Sequence, residues 1–140
     1  MKTKDRIAAY TQIDQVRVLC KSELETMQHL FFSCPWSTGL VSDICDWIGL
    51  DQYKIHNTSW THWIRFAFNK DKLRRNMIFA TYAALVYQIW MERNRRCFQQ
   101  KELDLFQIFN VTKKELALRL SLVIDFNKIR NHSLVTRIQM

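Results

Sequence analysis

Glycine and proline are almost missing from this sequence, which has two of the first and one of the second in 140 residues. The hairpins of a many-stranded sheet depend on tight turns that use these residues, so their scarcity argues against such a sheet and favours long helices. Hydrophobic residues, by contrast, make up 48% of the chain. A disordered chain lacks that much apolar area, and we therefore expect one globular domain.

The four cysteines follow no apolar leader and lack the regular spacing of a secreted disulfide scaffold. We therefore expect reduced thiols in an intracellular protein, either nuclear or cytoplasmic. The N-terminal segment MKTKDRIAAY carries Asp5 and is not rich in Arg and Ser, so mitochondrial import is not favoured.

Acidic residues are scarce in the middle of the chain, where residues 65–101 hold nine basic and two acidic side chains and account for most of the net charge of +8. A patch of this sign can attract nucleic acid, an anionic membrane or an acidic protein. In one interpretation the basic residues keep the two ends of a buried helix in water. In the other they contact phosphates, and the candidates are Arg74, Arg75, Arg93, Arg95 and Arg96.

Apolar spacing predicts an all-α fold, a compact bundle of five or six helices around one long central helix. The predicted helices are 4–10, 24–33 behind a capping box of Ser22 and Glu25, 35–48 before Gly49, 60–68 behind Ser59, 72–100, and 103–124. We expect a single domain over 1–140, with a knuckle-like subregion at 1–49, a helical core at 59–126 and a tail at 127–140 that frays. The uncharged run MIFATYAALVYQIWM is shorter than the ~20 residues that span a bilayer, so we expect a core helix and no membrane partner.

The stretch VRVLCKSELETMQHLFFSC places Cys20, His29 and Cys34 in an order typical of a small zinc knuckle, but Arg17 stands where a fourth ligand is expected. With its neighbours, RVLCKSELETMQHLFFSCPWS resembles the zinc-binding domain at the C-terminal end of plant LINE-type, non-LTR retrotransposon reverse transcriptases. The segments TKDRIAAY and VYQIWMERNRRCF resemble that family too, in the same order. The resemblance implies that Cys20, His29 and Cys34 occupy the second, third and fourth metal positions. The polymerase and endonuclease portions are not found, so we expect a truncated descendant.

A guanidinium stays protonated and has no lone pair to donate, so Arg17 cannot act as a metal ligand. We therefore expect an ancestral site that is empty, a chain that needs no cofactor, and a knuckle held by packing of Leu30 and Phe31. Zinc bound by Cys20, His29 and Cys34 is the alternative. Cys45 is expected to pack in the core rather than to replace the missing ligand.

No nucleophile and base combination stands out, so we expect no enzymatic activity. The predicted function is binding of another macromolecule, and the expected partner is a protein or a second copy of the chain, in a regulatory, antagonistic or toxin–antidote role. Truncation would uncover apolar area, and the side chains expected on that surface are Trp36, Leu40, Trp60 and Trp63. Nucleic-acid binding by the arginines named above is the alternative, and a third is a folded product without a selected role.

Overall fold

The structure is a computed structural model that describes residues 19–21, 25–51 and 59–123. Over these residues the fold is all-α, with 81% of them helical and no strand among them, as the scarcity of turn residues predicts. Two short π-helices and four α-helices follow one another. In chain order they are the first π-helix His29–Ser33, α1 Pro35–Ile48, α2 Trp60–Phe68, α3 Lys72–Asn94, the second π-helix Arg95–Gln99, and α4 Leu105–Val123.

Helix α1 has the two end signals that the sequence shows. Pro35 opens it, where the missing N–H costs no hydrogen bond, and Gly49 closes it in the left-handed region at φ 82°. The N–H groups of Gly49 and Leu50 both donate to the carbonyl of Cys45, at 2.9 and 2.8 Å. These bonds satisfy the end of the helix and fix where the chain leaves it.

Helix α3 is the central element, and it packs against every other helix of the bundle. Its first turn is capped by Asp71, whose Oδ1 accepts the backbone N–H of Arg74 at 2.9 Å. It continues without a break into the second π-helix, so the predicted helix 72–100 is confirmed to within one residue. No helix in the described parts of the chain has both the length and the hydropathy that a bilayer crossing requires.

The helix before α1 differs from its prediction. Ser22 lies outside the described residues, and Glu25 is buried rather than turned to a helix end. The cap is Thr26, whose Oγ1 accepts the backbone N–H of His29 at 3.1 Å, and helical geometry begins at Met27 rather than Leu24. The predicted helix 4–10, residue Ile124 and the tail 127–140 also lie outside the described residues.

The core lies around α3, and it takes apolar residues from every α-helix. Its fully buried members include Leu30, Leu40, Ile44, Ile48, Trp63, Met77, Ile78, Ile89, Ile108, Leu116 and Leu120. Burying a side chain of this size contributes about 1.5–3 kcal/mol relative to leaving it in water. Leu30 and Phe31 belong to this core, so the segment that carries the cysteines and histidine is packed as predicted.

Candidate functional site

The side chains of Cys20, His29 and Cys34 converge in the structure. The Sγ of Cys20 lies 3.4 Å from the Nε2 of His29, and the three candidate ligand atoms all lie within 4.8 Å of one another. Cys34 is buried, whereas Cys20 is half-buried and gives the cluster its access to solvent. The grouping that the sequence motif predicts is therefore confirmed.

The first π-helix brings two of these residues together. Its widened turn lets the N–H of Cys34 donate to the carbonyl of His29 at 2.8 Å, five residues earlier. The hydroxyl of Ser37, in α1, donates to the carbonyl of Leu30 at 2.5 Å and ties the two helices to each other. Cys34 is thus held between two helix ends, and its position is set by backbone hydrogen bonds.

Burial raises the pKa of the Cys34 thiol above its usual value of 9.0, and the neighbouring Cys20 acts in the same direction. The backbone N–H groups of Ser37 and Trp36, in the first turn of α1, oppose the rise. Without a metal this thiol stays protonated at neutral pH. A bound cation would favour the thiolate, as these N–H groups do.

Two thiols and an imidazole are donor types that zinc accepts at three corners of a tetrahedral site. Zinc bonds of about 2.3 Å to sulfur and about 2.0 Å to nitrogen place tetrahedral ligands roughly 3.5–3.8 Å apart. The Cys20 to His29 separation of 3.4 Å agrees with that spacing. Zinc held by these residues would act as a local crosslink. Arg17 lies outside the described residues, so the expected loss of a fourth ligand stays a prediction. Cys45 is fully buried, as predicted for a packing residue.

Arg93 of α3 and Arg96 of the second π-helix attach this segment to the core. Arg93 Nη2 lies 2.7 Å from Glu25 Oε1, and its Nε donates to both carboxylate oxygens at 3.2 Å. Neither side chain reaches solvent, with exposures of 2% and 0%. Arg96 donates to the carbonyl of Leu19 at 3.5 Å, and its guanidinium lies 5.4 Å from the centre of the Trp36 ring. Leu19 and Glu25 on one side of the cluster, and Trp36 on the other, therefore contact the continuous helical segment formed by α3 and the second π-helix.

Glu92 orients the second of these arginines. Its carboxylate is fully buried, accepts from Arg96 Nε at 2.8 Å and pairs with Arg95. It also accepts the backbone N–H of Leu103 at 2.9 Å, just before α4 begins. Glu92 thus pairs with Arg95 and Arg96, while Arg93 has its own partner in Glu25.

The four side chains expected on a partner surface differ in their burial. Leu40 and Trp63 are core residues with exposures of 0% and 2%, which corrects their assignment to the surface. They face inward because α1 and α2 pack their apolar stripes against α3. Trp36 is half-buried under Arg96. Trp60 alone of the four is largely exposed, at 53%.

Trp60 lies at the edge of an apolar groove formed by the first π-helix, α2 and α3. The groove is lined by Met27, Gln28, Phe31, Phe32, Trp60, Tyr82 and Val86 and encloses about 440 Å³. Tyr82 packs against the buried Trp63, with ring centroids 5.4 Å apart, so one wall of the groove is continuous with the core. No local sequence pattern identifies this groove, because its lining comes from three segments far apart in the chain.

The basic residues proposed for phosphate contact do not form one surface. Arg93 is buried against Glu25, and Arg95 and Arg96 pair with Glu92. Arg74 and Arg75 lie in the first turns of α3, about 30 Å from the other three along the same helix. Arg93, Arg95 and Arg96 are therefore engaged in ion pairs within the protein, and of the five candidates Arg74 and Arg75 are the ones placed to meet a ligand in solvent.

Comparisons of the chain with protein-family models, with curated proteins and with solved structures give no match. The resemblance to the retrotransposon domain thus rests on the sequence motifs alone and stays a prediction.

Proposed function

We propose that this chain is a non-catalytic protein-binding domain and that its partner covers the groove beside Trp60. The observation that carries the proposal is the half-exposed indole at the edge of a concave apolar surface. Tryptophan is enriched among the residues that dominate binding energy in protein interfaces, particularly where it can be enclosed by a pocket. An apolar segment of a partner seated in this groove would remove Trp60 and its neighbours from water.

The pairing of the buried charged side chains supports a structural role for them rather than a catalytic one. Glu25, Glu92 and Arg93 are deeply buried, as catalytic groups often are, but each is paired at hydrogen-bond distance with a partner of opposite charge. Their geometry joins the cysteine and histidine segment to α3, which is a sufficient physical reason for their burial. In this proposal the Cys20, His29 and Cys34 cluster likewise shapes the N-terminal side of the bundle and performs no reaction.

The proposal is tested by comparing two substitutions on the same helix. Trp60→Ser removes the side chain at the groove, and Phe68→Ser removes one that is also exposed but does not line the groove. The purified variants serve as baits in extracts of the source tissue, after circular dichroism has shown that both are folded. We expect a protein retained by the wild type and by Phe68→Ser to be lost with Trp60→Ser. Equal retention by all three baits would contradict the proposal.

A second candidate function is nucleic-acid binding at the α2–α3 corner. Five basic side chains lie there between residues 65 and 75, and the one acidic residue among them, Asp71, is engaged as the cap of α3. Phosphate contacts made by Arg74 and Arg75 would weaken steeply with added salt. Electrophoretic mobility of labelled RNA and DNA at two salt concentrations tests this candidate. No shift at the lower concentration would exclude it, and a shift that Arg74→Gln with Arg75→Gln abolishes would support it.

A further inference from the structure

Two thiols of the protein lie close enough to react with each other. The Sγ atoms of Cys20 and Cys34 are within 4.8 Å of one another, and neither belongs to a disulfide. A disulfide places its two sulfur atoms about 2.05 Å apart. The two Sγ atoms therefore need to approach each other by at most about 2.8 Å to form that bond.

The backbone around Cys34 is the more firmly held of the two. The N–H of Cys34 donates to the carbonyl of His29 at 2.8 Å, and its own carbonyl accepts the N–H of Thr38 at 2.9 Å. Cys20 lies instead in a turn, next to Lys21 with a left-handed φ of 57°. A turn shifts at a lower cost than a residue built into two helix ends. We therefore expect Cys20 to move toward Cys34.

The two thiols also differ in their access to solvent. Cys20 is half-buried, whereas Cys34 has an exposure of 0%. An oxidant that arrives from solvent meets Cys20 first, and Cys34 lies behind it. His29 Nε2 lies 3.4 Å from the Sγ of Cys20 and helps to keep this sulfur within the cluster. An accessible thiol with a second thiol within reach is the arrangement that redox-sensing cysteine pairs share.

We propose that Cys20 and Cys34 form a reversible disulfide when the protein meets hydrogen peroxide. In the first step Cys20 Sγ attacks one peroxide oxygen, the O–O bond breaks, and the thiol proton passes to the departing oxygen. The products are a sulfenic acid on Cys20 and one water. In the second step Cys34 Sγ attacks Cys20 Sγ, the S–O bond breaks, and the hydroxyl leaves with the Cys34 proton as a second water.

The electrons of this reaction balance within its two reactants. The two thiols lose two electrons in all, and the peroxide gains them. Two molecules of a small thiol reverse the change by thiol–disulfide exchange, and they leave as their own disulfide. The site therefore needs no metal and no bound cofactor.

The disulfide would close a loop, residues 20–34, that carries one wall of the groove beside Trp60. The groove-lining residues within this loop are Met27, Gln28, Phe31 and Phe32. Oxidation would fix both ends of the loop to the start of α1 and so restrict the movement of that wall. The disulfide itself forms whether or not a partner occupies the groove, so this inference does not depend on the function proposed above.

The test oxidises the purified full chain with a small excess of hydrogen peroxide, after a reductant and a chelator have been added and removed. Intact mass measures the loss of two hydrogen atoms per disulfide, and peptide mapping identifies the cysteines joined. We expect Cys20–Cys34 to be the main disulfide and dithiothreitol to remove it. In urea the proximity is lost, so we expect a mixture of pairs that includes Cys34 with Cys45. That same mixture in the folded protein, or no disulfide within the chain, would overturn the proposal.

Two variants separate the roles of the thiols, once circular dichroism has shown that they are folded. Cys34→Ala should leave a sulfenic acid on Cys20, which dimedone labels at least about tenfold more than in the wild type. Cys20→Ser should slow the oxidation of Cys34 at least about tenfold, because Cys34 does not reach solvent. Equal dimedone labelling of Cys20 with and without Cys34 would overturn the second step.

The other two cysteines provide matched controls. Cys97 is half-buried like Cys20, and Cys45 is buried like Cys34. Cys97→Ser and Cys45→Ala should each form the Cys20–Cys34 disulfide at the wild-type rate. Loss of the disulfide in the Cys97 variant would place Cys97 in the reactive pair and overturn the assignment.

Amide hydrogen exchange then tests the effect on the groove. We expect the amides of His29–Ser33 to exchange at least about threefold more slowly in the oxidised protein, because the closed loop opens less often. Unchanged exchange would overturn the link between the disulfide and the groove. A mapped Cys20–Cys34 disulfide in a protein without any Trp60-dependent partner would instead remove only the function assigned to the groove.

Discussion

Arg93 donates hydrogen bonds to both carboxylate oxygens of Glu25 across 68 residues of sequence, and the two side chains are buried together. The Arg93 guanidinium also lies 5.1 Å from the centre of the Trp90 ring. One contact thus fixes the N-terminal cysteine segment to the central helix.

Removing one partner of this pair should destabilise the fold strongly. Glu25→Gln leaves the Arg93 guanidinium buried without a compensating charge, and we expect a loss of about 3–5 kcal/mol in the free energy of unfolding. Arg119→Ala breaks the exposed pair with Glu115 on α4 and should cost less than about 0.5 kcal/mol. Urea unfolding followed by circular dichroism measures both. A loss below about 1 kcal/mol for Glu25→Gln would contradict the buried pairing.

Chelation should leave the fold intact. Leu30 and Phe31 are in the core and Arg93 and Arg96 hold the segment around Cys20 and Cys34, so the helices do not depend on a metal for burial. We expect the unfolding temperature to change by less than about 5 °C when a chelator is added to purified protein. Metal analysis before and after gives the zinc content. Collapse of the helical signal on chelation would show that a metal crosslink, not packing, holds the segment.

Alkaline pH should weaken the protein through Tyr82. Burial raises the pKa of its phenol above the ordinary 10.0, so the unfolded chain loses this proton at a lower pH than the folded chain does. The unfolded state then binds fewer protons, and the free energy of unfolding falls as the pH rises above about 10. Tyr82→Phe keeps the ring and removes the titration, so its stability should fall less steeply over the same range. Parallel curves for the two proteins would exclude this contribution.

The two tryptophans of α2 should lose very different amounts of stability on truncation. Trp63→Ala empties a core position and should cost about 3–5 kcal/mol, whereas Trp60→Ala removes an exposed side chain and should cost less than about 0.5 kcal/mol. Thermal unfolding by calorimetry compares them directly. Similar losses would mean that Trp60 is packed and would also remove the basis of the groove beside it.

Signals that act over a few residues predicted the structure well. Pro35 and Gly49 delimit α1, and the glycine- and proline-free run 72–100 forms one continuous helical segment. The spacing of Cys20, His29 and Cys34 also identified residues that the fold brings together. In each case the physical cause lies within a few turns of the chain, where sequence patterns carry most of their information.

Long-range pairing could not be predicted in the same way. Glu25 matches a capping box three residues after Ser22, but its carboxylate bonds to an arginine from a distant helix. Likewise, the apolar stripe of α2 does not predict which of its edges is covered by the rest of the protein. Trp60 and Phe68 lie on the edge that stays exposed. Both outcomes depend on tertiary packing, which a local pattern does not encode.

The contacts of Glu25 with Arg93 and of Leu19 with Arg96 join residues that are far apart in sequence. This separation determines when each contact can form during translation. Glu25 leaves the ribosome 68 residues before Arg93, and Leu19 leaves it 77 residues before Arg96. At synthesis rates of roughly 5–20 residues per second, the cysteine segment is synthesised about 3–15 s before Arg93 and Arg96. A chain released before residue 93 therefore carries its two thiols and its imidazole without the two arginines that hold their segment in place.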